Sequence, residues 1–260
     1  MNIIAFANQK GGVGKTSLCL HTAGALSQAD NRVLVVDMDQ QGNLSSTFVN
    51  NIHTLEHTIA DVLLKDTDVP IDSVIHKTTF DHLDIMPSNL MLSDLDARLA
   101  GDDDAQYYLA EAIAKLNGRY DWVLIDCPPS LGRATRMALV ATHGVVVPIE
   151  CQEWAFKGSQ QILSFIERVK GRVNPNLRFL GFVINKFSPA RRLEQDYYNA
   201  LQEQYAGHVF TTEFHNVVVF AEAAAAHQPI THYRPKSEHA ETFRKFALEL
   251  ISYVNQKELR

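Results

Sequence analysis

Residues 10–16 read KGGVGKT: Lys10 and Lys15 stand five positions apart around Gly11, Gly12, Val13 and Gly14, and Thr16 and Ser17 follow. Glycines let backbone N–H groups crowd around phosphate oxygens, and a helix that opens there adds its positive end. Lys15 stands where a phosphate loop sets a cation on the β- and γ-phosphates, and Thr16 where a hydroxyl ligates Mg²⁺. The general spacing G-x-x-x-x-G-K-[ST] asks for a glycine at position 9, which here is Gln9. Lys10 follows that missing glycine, and the general loop has no task for it.

Carboxylates recur at the ends of apolar runs. Asp126 closes YDWVLIDC and precedes a Pro128–Pro129 turn. A carboxylate there either holds Mg²⁺ through its water shell or caps the next helix. Asp37 and Asp39 close RVLVVDMD, on the ligand side of sheets of this kind, and would face opposite ways if the strand continued. Asn185 in INKF offers an amide that can pair with a base edge or shape a turn.

The elements that must hold these groups alternate. Residues 2–8, 32–39, 83–87, 120–127, 144–150 and 178–187 read as near-continuously apolar strands, as buried parallel strands do. Amphipathic stretches at 15–28, 55–64, 90–99, 104–117, 131–142, 156–171, 192–205 and 236–257 read as helices. That order predicts an α/β fold of the P-loop NTPase type: a doubly wound, mostly parallel sheet with helices on both faces. No repeat or linker divides the chain, so residues 1–260 are expected to form one domain. No apolar run could span a bilayer and no leader is visible. Cys19, Cys127 and Cys151 are odd in number and lack a CxxC pair, which argues against a disulfide framework or a zinc site and for a cytoplasmic setting. The net charge of −6 is uneven: residues 1–150 carry 10 basic and 19 acidic side chains, and 151–260 carry 14 and 11. A nucleic-acid partner would therefore need a local basic patch in the second half.

Taken together, ANQKGGVGKT, VVDMDQQGN (35–43), MPSN (86–89), YDWVLIDCPPSLG (120–132), INKF (184–187) and AEA (221–223) resemble the deviant Walker A ATPases, in particular the ParA/Soj partitioning proteins. The resemblance implies ATP and Mg²⁺ as ligands and a homodimer that sandwiches two nucleotides, with Lys10 crossing to the partner's phosphates. It makes Lys10, Lys15 and Asp39 the catalytic set, Asp39 positioning the attacking water. Lys10 through Ser17 and Asn185 become the nucleotide-binding set, with Asn185 beside the adenine. Thr16, Asp126 and Asp37 fall at the metal, although Asp37 serves either Mg²⁺ or loop geometry. Hydrolysis is expected to be slow and stimulated by a ParB-like or other adaptor protein. The ATP-bound dimer is expected to bind nucleoid DNA without sequence preference, through Lys186, Arg191 and Arg192, and to position or segregate a plasmid, a chromosome or a protein cluster.

Departures from the family pattern carry their own expectations. Gln40 replaces a usual proline, which predicts a looser loop at Asp39. FHNVVVFAEA (214–223) lacks two arginines usual in the family, so DNA contacts are expected to shift to Arg191 and Arg192, to weaken or to be lost. Val217 to Phe220 read as a buried strand or a partner surface. No helix-turn-helix module is expected before the loop. A MinD-like membrane switch is the alternative, resting on the amphipathic end FRKFALELISYVNQKELR, which reads more simply as a helix packed on the sheet, so no stable membrane binding is expected. An electron-transfer ATPase would need paired cluster-ligating cysteines, a pattern that Cys127 and Cys151 do not match.

Overall fold

The computed structural model describes residues 1–49, 51–64, 69–152 and 155–255. Among the described residues the strands are β1 (Asn2–Phe6), β2 (Val33–Asp37), β3 (His76–Lys77), β4 (Leu83–Met86), β5 (Trp122–Asp126), β6 (Gly144–Ile149) and β7 (Arg178–Ile184). They form one sheet in the order β3-β4-β2-β5-β1-β6-β7, parallel except for the short edge strand β3. Helices are α1 (Lys15–Gln28), α2 (Asn43–Phe48), α3 (Ile59–Leu64), α4 (Leu95–Arg98), α5 (Tyr108–Ala114), α6 (Arg133–Ala141), α7 (Ala155–Arg172), α8 (Arg192–Gln204), α9 (Val219–Ala225), α10 (Ile230–Tyr233) and α11 (Glu238–Asn255).

Successive side chains of a strand point to opposite faces, and the core divides accordingly. Ile3, Ala5, Leu34, Val36, Val123 and Ile125 enter one apolar cluster, with residues of α3, α5, α6 and α7. Ile4, Phe6, Val33, Val35 and Leu124 enter the other, with α1 and α11. Both faces are covered, which is why the strands read as unbroken apolar runs. Helix α1 is buried along most of its length between the sheet and helices α10 and α11.

Register sets the site. Phe6 pairs with Asp126, and Asp126 with Asp37, so the carboxyl ends of β1, β5 and β2 lie level. Ligands of open parallel sheets bind at that edge.

The expected fold class is the one observed, with shorter strands and several regroupings. The stretch 90–99 divides into a 3₁₀ turn (Leu90–Asp94) and α4. In 104–117 a 3₁₀ turn (Asp104–Tyr107) precedes α5, because the Asp102 carboxylate accepts from the Asp104 and Ala105 N–H groups and tightens the start. Residues 256–257 of the expected last helix lie outside the described residues. The expected strand at 217–220 is not one: Val219 opens α9 and Val218 is exposed. An apolar run of four does not distinguish helix from strand, and the alanines that follow favour helix. Val219 and Ala223, four apart, supply its buried face.

One polar side chain inside the second cluster has a consequence for stability. His21 on α1 is fully buried between Phe220 and Phe243, and its Nδ1 accepts from the Ile230 N–H at 3.0 Å while Nε2 has no partner. Burial drives its pKa down to about 3. The folded state thus keeps a neutral ring while the unfolded chain takes up a proton near pH 6.5, so stability is complete above that value and falls as pH drops towards 3. The expected slope is about 1.4 kcal/mol per pH unit below pH 6. Urea denaturation of the unaltered chain and of His21→Phe between pH 7 and 5 measures it, and the variant is expected to lose that part of the pH dependence.

Candidate nucleotide site

The loop from Lys10 to Gly14 joins β1 to α1. Gly12 and Gly14 have φ of 76° and 92°, backbone that side-chain-bearing residues rarely adopt. At Gly14 space is a second demand, because a Cβ there would fall 2.0 Å from Asn185 Nδ2. Helix α1 starts directly, with Leu18 N–H bonded to the Gly14 carbonyl at 2.9 Å. Its N–H end therefore faces a cleft of about 680 Å³, lined in part by Gly12, Lys15, Thr16, Asp39 and Pro129.

Lys15 is buried and donates to the Lys10 carbonyl at 3.2 Å. Burial lowers its pKa, while the charges of Asp126 and Asp39 pull it back up. Asp126 is wholly buried at the end of β5, and neither carboxylate oxygen has a hydrogen bond of regular geometry. Burial pushes its pKa well above the usual carboxylate range and Asp37 adds to the push; the nearby Thr16 hydroxyl and Lys15 oppose it. An orphaned buried carboxylate beside a threonine hydroxyl fits a divalent cation, which would supply the positive charge the site lacks. Among the described residues no cluster of three or more His, Cys, Asp or Glu could hold a metal alone. That suits Mg²⁺, which is commonly held by one or two protein groups together with substrate phosphates.

Asp37 has a different occupation. One oxygen accepts from the Asp39 N–H at 3.0 Å, and the other from the Ser45 N–H at 2.8 Å and its hydroxyl at 2.7 Å. Burial raises its pKa to about 6 against those bonds. Of its two expected roles, loop geometry is the one these contacts serve. Ser88, in MPSN, extends the network: its N–H donates to Ser45 Oγ at 2.8 Å and its hydroxyl to the Asp39 carbonyl at 2.6 Å. The expected looseness at Gln40 is thereby offset, since Asp37, Ser45 and Ser88 tie the Asp39 turn without a proline. Asp39 itself is nearly buried, accepts from the Gln41 N–H at 3.0 Å and lines the cleft. Ser45 carried no signal in the sequence, and MPSN was legible only as a family motif.

The second lysine turns back on its own chain. Lys10 Nζ lies 3.1 Å from Glu150 Oε2 and 2.8 Å from Gln152 Oε1, just beyond β6, and remains partly exposed. Glu150, absent from the sequence-based site, holds Lys186 with its other oxygen at 3.2 Å. Lys186 Nζ also donates to the Gly12 carbonyl at 2.6 Å, and the residue lines both the cleft and a smaller cavity beside Arg191. Asn185 Nδ2 donates to the Val13 carbonyl at 2.8 Å, which commits its amide to the loop. Arg191 and Arg192 are exposed at the start of α8, with Arg191 paired to Glu194 at 2.9 Å.

An AAA domain family matches residues 1–179. The chain is 33% identical over 250 residues to the sporulation initiation inhibitor protein Soj of Bacillus subtilis, covering 96% of this chain and 98% of that protein. It is 32% identical over 258 residues to the chromosome partitioning protein ParA of Myxococcus xanthus, covering 99% and 90%. Among solved structures, a cobyrinic acid a,c-diamide synthase from Mycobacterium smegmatis with bound ATP analogue and magnesium matches with a TM-score of 0.87 at 31% identity, covering 98% and 96%.

The Asp37 network can be tested without a ligand. Ser45→Ala removes a hydroxyl from a buried carboxylate and from the Ser88 N–H, and is expected to destabilise the fold by about 1–3 kcal/mol, read from urea denaturation.

Proposed function

This chain belongs to the ParA/Soj family of partitioning ATPases, and from that membership we propose that it is an ATP-driven dimerisation switch that binds DNA. Lys15, the glycine loop and the start of α1 receive the polyphosphate. Thr16 and Asp126 are the groups that would hold Mg²⁺, whose chemistry when bound is to neutralise charge on the phosphates. Asp39 orients the attacking water at the rim. The described cleft lining also holds His215, whose Nε2 lies 3.6 Å from Glu213 Oε1 and is thus already engaged, and turnover is slow and raised by a partner protein.

The observation that carries the reading is Lys10. A phosphate loop needs one lysine, and this one keeps a second at its mouth on a partly exposed side chain, held by Glu150 and Gln152. Two nucleotides brought face to face would concentrate negative charge, and one cation lent from each side reduces that repulsion. Dimerisation then means that Lys10 exchanges its own Glu150 for the partner's nucleotide. The apolar face of α11 that a membrane-surface reading would use is packed inward through Phe243, Phe246 and Leu250. The synthase activity named for the structural relative would leave the chain indifferent to DNA, and the assay below separates it too.

Lys10→Ala is expected to weaken ATP-dependent dimerisation at least tenfold while changing nucleotide affinity little, as light scattering and titration would read. A mobility assay with random-sequence DNA is expected to show a shift with ATP and none with ADP or without nucleotide. That shift should fall steeply with salt and weaken when Arg191 and Arg192 are both replaced by Ala. Equal binding in all three nucleotide conditions, or none in any, would sink the switch.

A further inference from the structure

Two consecutive residues beyond β7 hold two consecutive carbonyls of the phosphate loop. Asn185 donates to Val13 O at 2.8 Å and Lys186 to Gly12 O at 2.6 Å. A trans peptide is planar, with its C=O and the following N–H pointing in opposite directions. Drawing the Gly12 and Val13 carbonyls towards β7 therefore turns the N–H groups of Val13 and Gly14 away from it. Successive N–H groups fixed on one side form an anion-binding concavity, and a flipped peptide would present an oxygen to the phosphate instead.

The arrangement is held from several directions. Lys186 has a φ of 56°, a region where a side-chain-bearing residue needs its surroundings to keep it. Asn185 N–H is bonded to Ile149 O at 2.8 Å and Phe187 N–H to Phe214 O at 2.9 Å, which pin the backbone on either side of Lys186. Glu150 Oε1 lies 3.2 Å from its Nζ, so the ammonium is steered between a carboxylate and the loop carbonyl. Behind them Asn185 fills the space against Gly14.

We propose that Lys186 is a positioning residue of the phosphate loop and not a DNA contact, setting with Asn185 the polarity of the Gly12–Val13 and Val13–Gly14 peptides for a nucleoside polyphosphate. This rests on reading the cleft as a nucleotide site. Because the oriented N–H groups serve phosphates common to both nucleotides, ATP and ADP depend on Lys186 alike.

Titration calorimetry with Mg²⁺–ATP and Mg²⁺–ADP tests this on the full chain. Lys186→Met is expected to weaken both by about tenfold, the scale of one charge-assisted hydrogen bond, with the nucleotide-free melting temperature held within about two degrees. Lys186→Gly, which relieves the left-handed backbone but lacks the ammonium, is expected to lose as much affinity, and Lys186→Arg to recover most of it. Unchanged ATP and ADP affinity in Lys186→Met would overturn the assignment, and so would a loss confined to DNA. A large fall in nucleotide-free melting temperature that accounts for the affinity loss, with Lys186→Gly binding normally, would reduce the residue to a structural one. Failure of the unaltered chain to bind ATP would instead remove the nucleotide reading itself.

Discussion

Uncompensated charge at the carboxyl edge of the sheet governs this molecule. Asp126 and Asp37 sit level on neighbouring strands, both wholly buried, with the Lys15 ammonium close by. Asp37 is satisfied by the backbone and hydroxyl around it, whereas Asp126 has no regular hydrogen bond at all. A buried carboxylate in that condition costs stability, and folds tolerate such a defect where a ligand makes it good. A magnesium–polyphosphate ligand would supply the missing cation to Asp126 and the missing anion to Lys15 and the start of α1 together.

Around that centre the loop is shaped by its neighbours. Its glycines permit the unusual backbone, but permission is not selection. Asn185 and Lys186 take its carbonyls, Lys15 takes another, and Glu150 stands between Lys10 and Lys186 with one oxygen for each. The cation proposed to serve a partner's nucleotide and the cation proposed to shape the chain's own loop thus share one counter-ion. Any event that draws Lys10 away leaves Glu150 wholly to Lys186, which ties the state of the loop to the state of the interface.

The segment at 214–229 shows how a departure from family pattern is absorbed. Of the two positions where arginine is usual, Asn216 lines the cleft and Val219 turns into the second core cluster, while α9 covers His21 through Phe220. The region adds no basic surface of its own at 214–221. Arg191 and Arg192 are exposed at the start of α8, and Lys10 and Lys186 are partly exposed at the cleft.

The sequence by itself determined the fold class, the seat of the phosphate loop and the carboxylates at the strand ends. Those features are local: unbroken apolar strands, glycines before GKT, and Asp at the last residue of a run. Short elements escaped it because neither β3 nor α9 is long enough for a period to declare itself, and 217–220 carried equal apolar weight for helix or strand. Only the tertiary structure decided which charges meet. Setting β6 beside β1 and β7 beside β6 brings Lys10 and Lys186, distant from each other in the chain, to the two oxygens of Glu150. Strand order is a property of how helices cover both faces of a sheet, and no spacing along the chain encodes which lysine will find that carboxylate.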